Sequence, residues 1–232
     1  MRLAAVTIHC PADSRRMEWL ADQAAVLEGE LPWQPSEDRF REGVWPNFRR
    51  AGELMLEQNP THVLFLQDDV RLCRNFVAGC HRLLELRPQH LVCLFNMRPK
   101  VVELCGKHDT LWFVDPDGVY THALLCPIEM LADFLAWERQ HVAPDFPHDD
   151  RRWSMWMRFA EGSPEMVWNV AESLVQHVGA KHSLMGHNGR RPDAPRVCED
   201  ALAVDWSHGI DRPYRATSTS DVKKNLMPWY LP

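Results

Sequence analysis

Several things are missing from this chain, and each absence narrows what it can be. No stretch approaches the ~20 consecutive apolar residues that cross a bilayer. Met1 to Cys10 carries one basic residue and a short apolar run without a small-residue cleavage site, unlike a secretory leader. A soluble intracellular protein is the expectation. No C-x-x-C pair occurs among the seven cysteines, Cys10, Cys73, Cys80, Cys93, Cys105, Cys126 and Cys198. Their odd number and their places in apolar patterns argue against a zinc ribbon and for buried free thiols, since a free cysteine packs as a small hydrophobe. An excess of positive charge is lacking as well: the net charge is −6. Residues 1–180 carry 18 basic and 26 acidic side chains, whereas residues 181–232 carry eight basic and six acidic ones. Such an overall field does not draw the protein to a polyanion, although the basic final segment is compatible with a nucleic-acid acceptor. There are no internal repeats.

What is present is core-forming material. The chain has 232 residues, 45% of them apolar and ten of them tryptophan, enough for one domain or two closely packed lobes. Leu3 to Ile8 reads as an opening strand, and Met17, Leu20, Ala24 and Leu27 form the apolar stripe of a helix. Leu31 to Arg39, with Pro32 and Pro35, is a loop with room for a short strand. Phe48, Ala51 and Met55 mark a second helix that Asn59-Pro60 stops, and His62 to Leu66 is the next strand. A helix over Phe76 to Leu86 and a buried strand over Leu91 to Phe95 follow. This alternation predicts a mostly parallel sheet covered on both faces. Strands at Leu111 to Val114 and Tyr120 to Leu125 flank a turn, two helices follow around Ile128 to Leu135 and Trp153 to Ala160, and Met166 to Val170 is strand-like. From Gly186 the chain is rich in Pro, Gly, Arg, Ser and Thr with little periodicity, as in a wrapping tail.

One run stands out. In "THVLFLQDDVRL" the buried-looking strand ends directly in Gln67, Asp68 and Asp69. Ligands gather at the carboxyl ends of strands in open α/β sheets, and carboxylates at that edge can hold a hard cation. The plainer reading is that Asp68 accepts backbone N–H bonds at the turn or pairs with Arg71 or Arg74. A second acidic pair, Asp149-Asp150 in "HDDRRW", precedes the helix around Trp153. Either can cap that helix, and each carboxylate raises the other's pKa. Trp153, Trp156 and Trp168 read as core.

The ordered blocks "GVWPNFRRA", "HVLFLQDDV", "GVYTHALLCP", "HDDRRWSMWM" and "SLVQHVG" resemble nucleotide-sugar-dependent glycosyltransferases of the GT-A fold, notably small glycosyltransferase-like proteins of bacteria and bacteriophages. The similarity covers about residues 1–185, leaving 186–232 as an irregular tail. It implies a GT-A-like α/β fold, with a mostly parallel sheet flanked by helices and a smaller acceptor-side subregion. It also implies a hexosyltransferase-like activity that moves a sugar, by default from UDP, to a hydroxyl. The cation would be Mn2+ or Mg2+, held by Asp69 and by His177, whose imidazole suits manganese beside a carboxylate better than magnesium. The plainer reading of His177 is a histidine hydrogen-bonded at a strand end. Asp68 would contact the ribose or a metal-bound water. Gln67, standing where the family's first acidic residue belongs, would offer an amide to the ribose.

The same resemblance places Asn47 and Arg50 at the nucleotide, Thr7 and His9 at the nucleobase, and the acceptor-side carboxylate at Asp149-Asp150, where one is expected to cap the helix and the other, Asp150 by preference, to act as a base toward the acceptor. For Asn47 and Arg50 the alternative is a solvated helix start over Trp45. Asp117, Gly118 and Tyr120 would shape the sugar or acceptor pocket, although a β-turn explains the first two. Gly179 would let the backbone approach the phosphates, and His182 and His187 are lesser ligand candidates. The acceptor the resemblance implies would be a hydroxymethylpyrimidine base in phage DNA, with Arg151-Arg152, Arg190-Arg191 and Lys223-Lys224 on its phosphates, or else a surface polysaccharide or protein side chain. The compartment implied is the cytoplasm of a bacterium or phage-infected cell. Two rivals use the same residues: a metal-dependent phosphohydrolase or nuclease, and a non-catalytic nucleotide-sugar binder.

Overall fold

Strands that are covered on both faces must be apolar at successive positions, because neither face meets water. Leu3–His9 (β1) and His62–Gln67 (β3) have that character and are buried nearly throughout. A computed structural model describes residues 1–11, 14–115, 118–161, 166–178, 193–216 and 229–231 of the chain. In it β1 and β3 are adjacent and parallel, and the edge strand Trp33–Glu37 (β2) pairs parallel to β1. Pro35 is accommodated in β2 because a sheet edge has N–H groups that need no partner strand.

The other strands of the main sheet are Val92–Cys93 (β5), Trp112–Asp115 (β6), Ala123–Pro127 (β7), Val167–Val170 (β8) and Tyr214–Arg215 (β10). The order across the eight strands is β10-β6-β8-β5-β7-β3-β1-β2. Pairings β1–β2, β1–β3, β5–β8 and β6–β10 are parallel, whereas β3–β7, β5–β7 and β6–β8 are antiparallel. The protein is therefore an α/β fold with a large, mostly parallel central sheet. Alternate residues of β1 and β3 feed two cores. Leu3, Ala5, Leu64 and Leu66 pack toward helices Ser14–Leu27 (α1) and Phe76–Leu86 (α3). Ala4, Val6, Val63 and Phe65 pack toward Val44–Gln58 (α2), Ile128–His141 (α5) and Asp149–Phe159 (α6). A further helix, Pro99–Lys107 (α4), covers β6 through Val101, Cys105 and Phe113.

Several expectations need correction. The strand foreseen over Leu91 to Phe95 is buried throughout but pairs only at Val92–Cys93, because beyond Leu94, whose N–H donates to the Ala123 carbonyl, the chain leaves the sheet. The strand foreseen from Tyr120 starts at Ala123, since Thr121 and His122 form a turn. Helix α1 does not bury the stripe its apolar residues suggest: Met17 is 49% exposed, and the buried face is Arg16, Leu20, Gln23 and Leu27. Two polar residues occupy it because they serve the edge of the sheet above. Arg152, foreseen as a phosphate contact, is fully buried. It pairs with Glu138, donates to the carbonyls of Ala143, Pro144 and Phe146, and stacks over Trp45. Arg190-Arg191 and Lys223-Lys224 lie outside the described residues.

The described part of the tail joins the body: Ser173 bridges Val197, Arg74 bridges Asp200, and Cys198, Ala201, Trp206 and Ile210 belong to the α1/α3 core. The seven cysteines are thiols and none is in a disulfide. No helix among the described residues is long and apolar enough to cross a membrane.

Candidate functional site

The chain turns at Asp68-Asp69 on leaving β3 and forms a short strand, Val70–Leu72 (β4). That strand pairs antiparallel with Val175–His177 (β9), so Val70 stands opposite His177. The Val178 N–H donates to the Asp69 carbonyl at 2.8 Å, closing the joint. This small second sheet carries two residues distant in sequence to one point: His177 Nε2 lies 3.3 Å from Asp69 Oδ2.

The two aspartates differ in what they have left to offer. Asp68 is 1% exposed and saturated, with Oδ2 accepting from the Cys10 N–H at 2.9 Å and lying 2.8 Å from His9 Nδ1, and with Oδ1 paired to the Arg16 guanidinium. It faces the protein. Asp69 receives Arg16 at 3.2 Å on Oδ2, while its buried Oδ1 has no partner among the described residues. Burial pushes the Asp69 carboxyl up, but the hydrogen bond and electrostatic pull of His177, then Arg16 and His122, outweigh it and leave the pKa below the ordinary carboxylate value. Asp69 is thus held ionised with one oxygen to spare. Buried polar atoms are seldom left unpartnered in a folded protein, so a spare oxygen there marks a place for a ligand or solvent.

The dipeptide Thr121-His122 ties this pair to the second acidic site. The Gln67 amide donates to Thr121 Oγ1 at 3.2 Å, and the Thr121 hydroxyl donates in turn to the Asp149 carboxylate. The His122 ring meets the His177 ring edge-on, with centroids 5.1 Å apart. Asp149 and Asp150 both belong to the first turn of α6, whose N-cap is His148, so neither aspartate caps the helix. Asp150 is half-buried and accepts the Arg151 N–H at 2.8 Å. Asp149 is buried, and its Oδ2 has no partner among the described residues. Burial, with the Asp150 charge beside it, pushes the Asp149 carboxyl up to about 7, against the pull of the Thr121 hydrogen bond. Burial likewise raises Asp150. A carboxyl titrating near neutral pH, linked through Thr121-His122 to an ionised Asp69, gives the region both a proton acceptor and a fixed negative charge.

The remaining candidates have other occupations. Thr7 donates to Gln23 Oε1 at 3.0 Å and accepts the Trp33 indole N–H at 2.9 Å. His9 is fully buried between Asp68 and the Met17 sulfur, which is 3.1 Å from Nε2. Asn47 gives its amide hydrogens to the His9 and Ser36 carbonyls and accepts the Ser36 hydroxyl, pinning α2 to the ends of β1 and β2. Arg50 pairs with Glu42 and lies 3.8 Å from Asp38. Burial, then Arg98 and Asp115, govern Tyr120, whose hydroxyl is raised to about 12 and hydrogen-bonds Arg98. Asp117, Gly179, His182 and His187 lie outside the described residues.

Arg16, Gln23, Thr121 and His122 were not singled out in the sequence. Gln23 donates to the carbonyls of Gln67 and Val70 at 2.8 and 3.0 Å and so supports the Asp68-Asp69 turn from below. Thr121 and His122 carry a legible signal, a polar pair abutting the apolar strand β7, the mirror of the polar run that ends β3.

Among the described residues no group of three His, Cys, Asp or Glu is placed to hold a metal ion. Asp69 and His177 supply two donors of the type that suits manganese, and their 3.3 Å separation is within the span of two ligands even on an ion as small as magnesium, whose bonds are about 2.0–2.1 Å. They fit a cation whose other positions are filled by substrate or solvent oxygens, and not a closed all-protein cage.

No family model matches the chain, and no curated protein matches it. Among solved structures it is similar to a glycosyltransferase involved in the glycosylation of the major capsid of PBCV-1. The TM-score is 0.38 at 12% identity, with 69% of this chain and 75% of that chain covered.

Proposed function

We propose that the protein is a GT-A-like glycosyltransferase that moves a sugar from a nucleoside diphosphate, UDP by default, to a hydroxyl acceptor. The observation that supports this most is the meeting of Asp69 and His177 across the β4–β9 joint, beside a buried carboxyl that the Thr121 hydroxyl orients. Asp69 and His177 would hold a manganese or magnesium ion, which supplies charge neutralisation on the departing diphosphate. Asp69 keeps one oxygen, Oδ1, without a partner among the described residues. Asp149 is better placed than Asp150 to receive the acceptor's proton, because it is buried, near neutrality and open at Oδ2, whereas Asp150 accepts the Arg151 N–H. Thr121 fixes the rotation of that carboxyl. Gln67 is committed to Thr121 and acts through it.

For the acceptor we propose hydroxymethylpyrimidine DNA, with a surface glycan or protein side chain as the alternative. Burial of Arg152 leaves exposed Arg151 as the phosphate contact of that pair. The test is incubation with radiolabelled UDP-glucose and Mn2+ against hydroxymethylpyrimidine DNA, a capsular glycan panel and water. Label is expected on one of the two polymers, and Asp69→Asn should lower its transfer by about a hundredfold or more, as removal of a cation's protein anchor would, while the circular dichroism spectrum stays unchanged. Full activity in Asp69→Asn, or release of sugar or phosphate to water alone, overturns the reading.

A further inference from the structure

The Asp68-Asp69 pair already has a cation. Arg16, on the buried face of α1 and itself 6% exposed, spans both carboxylates, with one arm on Asp68 and the other 3.2 Å from Asp69 Oδ2. That same Oδ2 is the oxygen next to His177 Nε2. A guanidinium is permanently charged and fits carboxylates with its planar fork. Two adjacent carboxylates would by themselves attract a divalent ion strongly; with Arg16 between them they present about one net negative charge.

We propose that Arg16 sets the cation affinity of the site: it holds the free protein in a state that binds a divalent ion weakly, so that the ion is bound firmly only together with the donor's diphosphate. This rests on the reading of Asp69 and His177 as the ion's protein ligands. Asp68, fixed by the Cys10 N–H and His9, anchors Arg16 to its post, so the guanidinium can loosen from Oδ2 of Asp69 as an ion approaches while staying on Asp68. The negative diphosphate then supplies the charge that Arg16 had withheld from the ion. In this scheme Arg16 is a positioning residue, acting on the metal through the aspartates.

Mn2+ binding, followed by the loss of the free-ion paramagnetic resonance signal on titration with protein, tests this without any turnover. Arg16→Gln should bind Mn2+ in the absence of nucleotide on the order of ten- to hundredfold more tightly than the wild type, the scale of removing one like charge a few ångströms from a divalent ion screened nearly as in water. Arg16→Lys, which keeps the charge but loses the planar fork that spans both carboxylates, should fall between the wild type and Arg16→Gln. The wild type, with no substitution to compromise folding, should bind Mn2+ at least about tenfold more tightly when saturated with UDP. Equal Mn2+ affinity in the wild type and Arg16→Gln, or in the wild type with and without UDP, overturns the role of Arg16 and leaves the Asp69–His177 site standing. Absence of Mn2+ binding in every protein, with and without UDP, overturns both.

Discussion

Replacing Asp149 by asparagine should make the protein more stable at neutral pH and less active at every pH. The carboxyl is buried, and its pKa rises to about 7 from an ordinary value of 3.8. The folded state therefore keeps a proton that the unfolded chain gives up between these two values. The unfolded state binds fewer protons throughout that window, so stability is fully present below about pH 4 and falls as pH rises toward 7. At 1.36 kcal/mol for each pKa unit, the loss reaches about 4 kcal/mol, an order-of-magnitude figure for a carboxyl with an acidic neighbour. Asparagine has the same size and keeps an acceptor for the Thr121 hydroxyl but carries no titrating proton. Urea unfolding of both proteins at pH 4 and pH 8 measures the difference. The variant should gain several kcal/mol on the wild type between the two, and transfer by the wild type should climb through about pH 7 as Asp149 ionises. A stability difference that is the same at both pH values would falsify the assignment of a raised pKa to this residue.

Thr121→Val removes the hydroxyl whose hydrogen bond lowers the Asp149 pKa; the rise of transfer with pH should move to higher pH, and an unmoved profile would show that Thr121 does not act through Asp149. Arg152→Ala leaves Glu138 buried without its partner and should cost about 3–5 kcal/mol in urea unfolding. A loss under 1 kcal/mol would contradict the structural role given to that pair.

The strand and the acidic turn that ends it are legible because burial and charge collide within a few residues: five successive apolar or half-apolar positions followed by Gln67, Asp68 and Asp69. Helix α3 is equally plain, since Val77, Cys80, Leu83 and Leu84 face one core. The strands of the β4–β9 joint are three residues each, too short to show a period, so only likeness to a family pointed to His177. Arg16 escaped for another reason. Counting apolar residues selects Met17 for the buried face, whereas the two carboxylates call for the counter-charge of Arg16 and the turn's carbonyls call for the Gln23 amide. The depth of Asp149 is likewise invisible in sequence, because it is set by how the first turn of α6 lies against Thr121.

The β4–β9 joint also governs when the site comes into being. Val70 and His177 pair across about a hundred residues of intervening chain. At roughly 5–20 residues per second of synthesis, the ribosome delivers Asp69 some 5–20 seconds before the histidine that completes it. During that interval β1, α1 and β3 are already available to one another, and Arg16 can shield the nascent acidic turn. The Asp69–His177 pair thus forms late, after the first half of the sheet has had time to form.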